Sequence, residues 1–201
     1  MPFSVAIVGL GAGSLACYSS AKEHWRFFEI DPLVVKIATD PRYFTFLEKC
    51  RPDADIVLGD ARLTLRKVPD ASLSYLVIDA FSSDSVPAHL LTREAIELYL
   101  TKIAPHGLLA LHVSNRHMDL KGVSLSTALS IEGVLGVLVA DHPPEGNDAS
   151  GSEVLFLAKH QEALTPILQW PGSQPAVAPR VKPWTDGYSD VLSAVWRFYF
   201  D

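Results

Sequence analysis

Three glycines at alternate positions follow the first apolar segment of the chain. Gly9, Gly11 and Gly13 stand in the run GLGAGS, directly after FSVAIV. Glycines at this spacing permit a tight turn and let backbone amides approach a ligand at the positive end of the following helix. By itself the pattern also fits a purely structural turn from strand to helix.

Acidic residues end the next three apolar segments. Glu29 lies 20 positions after Gly9, where a carboxylate can accept hydrogen bonds from both hydroxyls of a ribose. Asp60 in LGDA and Asp79 in VIDA follow the third and fourth segments. Ligands of open α/β sheets bind at the carboxyl ends of the strands, so the shared placement predicts one site. The structural alternatives are a solvated Glu29 and a helix-capping Asp60.

Three polar residues later in the chain belong to segments that we expect to reach the same rim. They are His89, His112 and Asn115. His112 is a candidate for contacting a substrate or shuttling a proton, because imidazole can change its charge near neutral pH. For each of the three, an ordinary structural histidine or asparagine is the alternative.

The segment WTDGY near the end of the chain combines aromatic and acidic side chains. Trp184, Asp186 and Tyr188 together suit the binding of a cation through π contact and charge. The alternative is a C-terminal segment that simply packs on the core.

The elements that must position these residues alternate between strand and helix. Apolar runs predict strands over 3–8, 25–30, 55–58, 73–78 and 108–113, and helices over 14–22, from 31 to before Pro41, and over 92–103. This order predicts a doubly wound, mostly parallel Rossmann-like α/β sheet with helices on both faces. Segments 133–140 and 154–158 predict an antiparallel edge pair around a loop over 142–152, and 170–183 an irregular crossing.

Length and composition predict a single nucleotide-binding domain over residues 1–201. The chain has 201 residues, 48% of them hydrophobic, enough for one sizeable core. Apolar stretches such as 134–140 are far shorter than the ~20 residues that cross a bilayer, so we expect no membrane span and a cytoplasmic protein.

Charge and cysteine content narrow the candidate partners. With 17 basic and 23 acidic residues the formal net charge is −6, which favours a cationic small substrate over a nucleic acid. Cys17 and Cys50 have no CxxC or Cys/His companions, so we expect neither a disulfide nor a metal site.

Several longer motifs resemble the spermidine synthase-like family of polyamine aminopropyltransferases, which has the class I S-adenosylmethionine-dependent methyltransferase fold. The similarity runs from about residue 3 to 120 and resumes over 184–192. Its motifs are VAIVGLGAGSLACY, FFEIDPLVVKIA, VLGDARL, VIDAFSSDSVPAHLLTREAIELYL, HVSNRHMDL and WTDGYSDVL. The resemblance implies transfer of an aminopropyl group from decarboxylated S-adenosylmethionine to a di- or polyamine, without a metal.

The resemblance also implies roles for individual residues. Glu29 would hold the ribose hydroxyls and Asp60 the adenine amino group, with the glycines near the sulfonium tail. The nucleoside site implied in this way consists of Gly9, Gly11, Gly13, Glu29, Asp31, Asp60 and Ala61. The loop DAFSSDSVP resembles the family's DSSDP-like loop with two extra residues, so Asp79 would be the base and Asp84 a cation anchor.

The chain also departs from the family pattern. Family members carry a small β domain before the nucleotide-binding domain, and we expect this chain to lack it because its first predicted strand begins at Phe3. The segment with Gly187 and Asp190 also departs from the family pattern. A second copy of the chain, in a homodimer, is a possible partner. The alternative functions are an S-adenosylmethionine-dependent methyltransferase and a non-catalytic nucleoside-binding domain. A dinucleotide dehydrogenase shares the glycines and Glu29 but prefers glycine or alanine where this chain has Ser14.

Overall fold

The computed structural model of the chain describes residues 3–80, 87–141, 143 and 151–200. Within these residues the chain folds around one sheet of eight strands, in the order β3-β2-β1-β4-β5-β7-β6-β8. The strands are β1 (Ser4–Val8), β2 (His24–Glu29), β3 (Asp55–Leu58), β4 (Leu73–Ile78), β5 (Ile103–His112), β6 (Leu135–Asp141), β7 (Ser152–Ala158) and β8 (Ser173–Pro175).

The first five strands are parallel, as predicted. β1 pairs with β2 on one side and β4 on the other, with Val8 opposite both Phe28 and Ile78. β7 runs antiparallel between β5 and β6, which confirms the antiparallel pair predicted for the end of the chain. The carboxyl ends of β1 to β5 therefore lie along one edge of the sheet.

The described helices are short, and none is both long and apolar enough to cross a membrane. The α-helices are α1 (Pro32–Ala38), α2 (Phe46–Cys50), α3 (Ala61–Thr64), α4 (Arg93–Lys102), α5 (Leu120–Leu129), α6 (Gln161–Leu164) and α7 (Val191–Phe200). Short 3-10 helices lie at Ser14–Tyr18, Leu65–Lys67, Ala88–Leu90 and Ile167–Gln169.

Alternating side chains of β1 belong to two different core clusters. On β1, Ala6 and Val8 face a large cluster that includes α4 and α5, whereas Val5 and Ile7 face a smaller one with α1 and α2. This is the period of two that a strand buried on both faces requires. Helices cover both faces, and the predicted doubly wound architecture is confirmed.

The prediction of a helix over 14–22 was wrong. After Gly13 the chain makes only a 3-10 helix, Ser14–Tyr18, and then turns into β2 at His24. The left-handed backbone of Gly13 (φ 79°) precedes a segment that contains two further serines, and serine competes with helical hydrogen bonds. The glycine turn therefore has no long helix behind it, and the argument from a helix dipole does not hold for this chain.

The expectation that the two cysteines stay unpaired was also wrong. Cys17 and Cys50 form a disulfide, with Cα atoms 4.8 Å apart. The fold brings them together because the 3-10 helix after the glycine turn packs against α2. No local sequence pattern predicts this contact, since the two cysteines are 33 positions apart. The bond links the short connection between β1 and β2 to α2.

Two further differences concern element bounds. Within 170–183, predicted to be irregular, Ser173–Pro175 forms the edge strand β8, antiparallel to β6. β5 begins at Ile103, five residues earlier than predicted, through a register shift against β4. The loop predicted over 142–152 lies mostly outside the described residues.

Candidate functional site

Gly9, after β1, lies directly against the backbone of Asp79, after β4. Its φ is 98°, and a β-carbon built there would lie 2.2 Å from the carbonyl oxygen of Asp79. The amide of Asp79 in turn donates to the carbonyl of Val8 at 2.8 Å. Only glycine fits this position, because a side chain would need both the left-handed backbone and space that Asp79 occupies.

The other two glycines of the turn have different surroundings. Gly13 lies against Leu47 of α2, where an added β-carbon would come within 2.7 Å of the leucine Cγ. Gly11 has a φ of 51° and no atom within 4 Å of that position. Gly9 and Gly11 line the cleft described below, whereas Gly13 packs inward.

Glu29 is held by three backbone amides. Leu10 donates to its Oε2 at 3.0 Å, and Ile30 and Asp31 donate to its Oε1 at 2.8 and 2.9 Å. A carboxylate has about four lone-pair sites, so the side chain is fixed while retaining acceptor capacity toward a ligand. The end of β2 and the glycine turn thereby form one hydrogen-bonded unit.

Two aspartates in the same region cap helices. Asp31 accepts from the amide of Leu33 at 2.8 Å and begins α1. Asp60 accepts from the amide of Arg62 at 2.8 Å and begins α3, with its second oxygen 3.4 Å from Nε2 of His89. Asp60 therefore caps a helix, which was the structural alternative considered for it. The cap uses Oδ1, and Oδ2 faces His89.

These residues border one cleft of about 490 Å³ at the carboxyl edge of the sheet. Pockets of this size hold small ligands. The cleft brings together most of the predicted nucleoside site, the predicted base and one predicted amine contact, namely Gly9, Gly11, Glu29, Asp31, Asp60, Ala61, Asp79 and His89. Its remaining lining is largely apolar: Val8, Phe28, Ile30, Val34, Gly59, Ala80, Pro87 and Leu90.

The titratable side chains that line the cleft are mostly acidic. Four carboxylates and one histidine line it, and among the described residues that do so there is no lysine or arginine. Such a lining favours a ligand that carries positive charge and disfavours one with a carboxylate of its own.

Asp79 connects the cleft to β5. Its Oδ1 lies 2.7 Å from Nδ1 of His112, and Nε2 of the same ring lies 2.9 Å from Oγ of Ser114. The side chains of Asp79 and His112 are both partly exposed. Asp84 lies outside the described residues.

The predicted residues of the C-terminal segment have partners within the protein. Trp184 is 1% exposed and packs in a cluster with Leu91 and Leu120. Tyr188 has the ammonium group of Lys182 over its ring at 3.7 Å from the centroid. Trp184 is therefore part of a core cluster, and its contact with an amine stays a prediction.

Asp186 is bound by a cation of the chain itself. Its carboxylate forms a bidentate ion pair with Arg62, whose Nη1 lies 2.7 Å from Oδ1 and whose Nη2 contacts Oδ2. Oδ1 also accepts a hydrogen bond from Oγ1 of Thr92 at 2.8 Å. These hydrogen bonds, chiefly the one from Arg62 and to a smaller extent the one from Thr92, hold the pKa of Asp186 below its ordinary value of 3.8. The pair joins α3, beside the cleft, to the C-terminal segment.

Asn115 makes a local contact. Its Oδ1 accepts from the amide of His117 at 2.9 Å, as in an asparagine turn. This bond uses the side-chain oxygen, and Asn115 is not among the described residues that line the cleft.

Sequence reasoning missed Arg62 and Ser114. Arg62 stands two positions after Asp60 in GDAR, and Ser114 stands two positions after His112 in HVS. In an extended segment, a spacing of two places the side chains of His112 and Ser114 on the same face. That spacing was the available signal for Ser114. No group of three or more potential metal ligands occurs among the residues that the structure describes.

Comparison with known proteins supports the resemblance in part of the chain. No family model matches it. A stretch of 98 residues is 33% identical to a polyamine aminopropyltransferase from Vibrio vulnificus (strain CMCP6), covering 46% of this chain and 31% of that protein. The matching region thus spans about a third of the length of the curated relative.

Solved structures share the fold at low sequence identity. A probable spermidine synthase from Corynebacterium glutamicum superposes with a TM-score of 0.66 at 17% identity, covering 93% of this chain and 73% of its own. Human methyltransferase-like protein 13 in complex with SAH gives 0.61 at 21% identity, covering 96% and 88%.

A spermidine synthase in complex with the transition-state analogue AdoDATO gives 0.60 at 16% identity, covering 96% and 64%. The resemblance deduced from the sequence motifs is thereby confirmed: the chain is similar in sequence to a polyamine aminopropyltransferase and has the Rossmann-like fold shared by spermidine synthases and class I methyltransferases.

Proposed function

We propose that this domain transfers an aminopropyl group from decarboxylated S-adenosylmethionine to a di- or polyamine. The observation that carries the proposal is the position of Asp79 in the same acidic cleft as Glu29 and Asp60. The sequence similarity to a polyamine aminopropyltransferase and the fold shared with spermidine synthases support it.

The nucleoside half of the donor would occupy the side of the cleft formed by β2 and β3. Glu29, already oriented by three amides, would accept hydrogen bonds from the ribose hydroxyls. Asp60 would accept from the adenine amino group through Oδ2, which does not cap α3. Asp31 and Ala61 border the same half, and the glycine turn would lie near the sulfonium.

The reaction needs a neutral amine nitrogen beside the carbon attached to the sulfonium. A nitrogen–carbon bond forms, the carbon–sulfur bond breaks, and the electron pair stays on sulfur, which leaves as the neutral thioether methylthioadenosine. Asp79 would accept the proton that the attacking amine loses, and positioning would supply much of the acceleration. Asp84 stays a predicted anchor for the other end of the amine.

The charge of the cleft distinguishes the two candidate donors. S-adenosylmethionine carries a carboxylate on the part of the donor that would extend toward Asp79, and no described lysine or arginine lines the cleft to balance that charge. Decarboxylated S-adenosylmethionine has only positive groups in that region. Like-charge contacts are costly at a binding site, so the decarboxylated donor is favoured over a methyl donor.

Methyl transfer is the alternative, because the nucleoside half of the site and the fold serve both reactions. Titration calorimetry with both donors tests the choice. We expect the decarboxylated donor to bind at least about tenfold more tightly, which corresponds to about 1.4 kcal/mol. Tighter binding of S-adenosylmethionine, together with release of S-adenosylhomocysteine during turnover, would favour methyl transfer instead.

A non-catalytic nucleoside-binding domain is the remaining alternative. An activity screen with putrescine, spermidine and longer amines, in which methylthioadenosine release is followed by chromatography, separates it from an enzyme. Methylthioadenosine binding without release from the decarboxylated donor, across all of these amines, would be the signature of the non-catalytic domain.

A further inference from the structure

Asp79 belongs to a chain of hydrogen bonds that runs from the cleft into the sheet. β4 and β5 are parallel neighbours with Ile78 opposite Leu111, so the residues that follow in register, Asp79 and His112, lie side by side. Nδ1 of His112 is 2.7 Å from Oδ1 of Asp79.

The far side of the imidazole is held as well. Nε2 of His112 is 2.9 Å from Oγ of Ser114, and that oxygen accepts from the amide of Glu153 on β7 at 2.6 Å. The chain of contacts therefore ends on backbone of the sheet, and its members belong to three different segments.

The proton positions follow from the partners. A carboxylate can only accept, so Nδ1 of His112 carries the hydrogen that points to Asp79. When the ring is neutral Nε2 is an acceptor, and the hydroxyl of Ser114 donates to it at 2.9 Å, a shorter contact than the 3.4 Å from the same hydroxyl to the carbonyl of Glu153. The oxygen of Ser114 remains free to accept from the Glu153 amide, so each of these atoms has a partner of the right kind.

Both ring nitrogens of His112 are thus engaged within the protein, which leaves neither for a substrate. We infer that His112 is a positioning residue for Asp79, with Ser114 fixing the tautomer of the ring. The bond to Nδ1 occupies Oδ1 and leaves Oδ2 of Asp79 as the oxygen that meets the amine. This inference rests on the proposed aminopropyl transfer and assigns His112 a role different from direct substrate contact.

The role has a specific consequence for kinetics. Without the imidazole, the Asp79 side chain keeps its charge but loses the contact that fixes its orientation. An error of about 1 Å in a reacting group costs on the order of 100-fold in rate. Binding of the nucleoside should be unaffected, because Glu29 and Asp60 are held by other contacts.

The test compares His112→Ala and His112→Asn. The amide nitrogen of asparagine lies about as far along the side chain as Nδ1 and can donate to Asp79, whereas alanine cannot. We expect kcat for methylthioadenosine release to fall about 100-fold in the alanine variant, to recover to within about tenfold of wild type in the asparagine variant, and the donor KM to stay constant in both.

A measurement on the resting protein complements the kinetics. Nitrogen-15 NMR of the imidazole should show Nδ1 protonated and Nε2 as an acceptor, and Ser114→Ala should change the Nε2 signal. Protonation on Nε2 alone would overturn the inference, as would an alanine variant with wild-type kcat or an asparagine variant no better than alanine.

The failure of this inference is distinguishable from that of the proposed function. A wild-type chain that releases no methylthioadenosine with any amine overturns both. An active wild type whose kcat does not depend on His112 overturns only the positioning role.

Discussion

The amide nitrogen of Leu10 donates to Oε2 of Glu29 at 3.0 Å, so the turn after β1 and the end of β2 are locked together by the residue expected to hold the ribose. Two more amides, those of Ile30 and Asp31, bind the other oxygen. The carboxylate is therefore both part of the scaffold and part of the cleft.

Replacing Glu29 by glutamine should weaken nucleoside binding. The amide group of glutamine cannot accept on both sides, so at least one backbone donor loses its partner and the ribose loses a charged acceptor. Hydrogen bonds to charged groups contribute about 1.5–3 kcal/mol, which predicts a loss of roughly 10- to 150-fold in methylthioadenosine affinity by calorimetry. Glu162→Gln, exposed on α6, is the matched control and should bind like wild type. Equal affinities in both variants would contradict the role of Glu29.

Gly9 and Gly11 should respond differently to alanine. At Gly9 the new methyl group would meet the Asp79 carbonyl oxygen at 2.2 Å, so we expect severe loss of stability or no folded protein. At Gly11 nothing lies within 4 Å, and the left-handed backbone alone costs about 1–2 kcal/mol.

Thermal unfolding and methylthioadenosine calorimetry separate the two positions. Gly11→Ala should remain folded, because no atom of the protein lies near the added methyl group, and should bind more weakly, because Gly11 lines the cleft that the ligand would occupy. Similar melting temperatures for the two variants would show that the close approach at Gly9 is not needed.

The disulfide between Cys17 and Cys50 should contribute to stability. Closing a loop of this length lowers the chain entropy of the unfolded state, which raises the free energy of unfolding by up to roughly 3–4 kcal/mol. Urea unfolding with and without a reductant measures the difference, and Cys17→Ser should show no further effect of the reductant. Two titratable thiols in the native, unreduced protein would contradict the bond.

The Arg62–Asp186 pair predicts a pH dependence of stability. The pKa of Asp186 is lowered in the folded protein below its ordinary value of 3.8, so the contribution is present at neutral pH and is lost as the pH falls through the folded value. Wild type should therefore be more stable than Asp186→Asn at pH 7, and the difference should shrink below about pH 4. Unfolding curves over pH 2.5–7 check this, and a difference that grows with acid would contradict the sign.

The sequence predicted the parallel part of the fold because its signals are local. Each of β1 to β4 contains a short apolar run, and Glu29, Asp60 and Asp79 stand at or just after the ends of three of these strands. In a parallel sheet such ends must share an edge, so the cleft followed from one-dimensional information.

The remaining features depend on contacts that no local pattern encodes. No sequence pattern between Cys17 and Cys50 predicts that a 3-10 helix forms in place of the expected α-helix and packs on α2. The WTDGY motif was interpreted as a cation site from residue types alone. Its actual partners, Arg62 and Thr92, lie about a hundred positions away in sequence.

The most direct test of the proposed transfer is the rate of methylthioadenosine release from decarboxylated S-adenosylmethionine and an amine, compared between wild type and Asp79→Asn. Asparagine preserves the shape of Asp79 but is not a base, so we predict at least about a 100-fold lower kcat with methylthioadenosine affinity unchanged. Release at the wild-type rate by the asparagine variant would contradict the account.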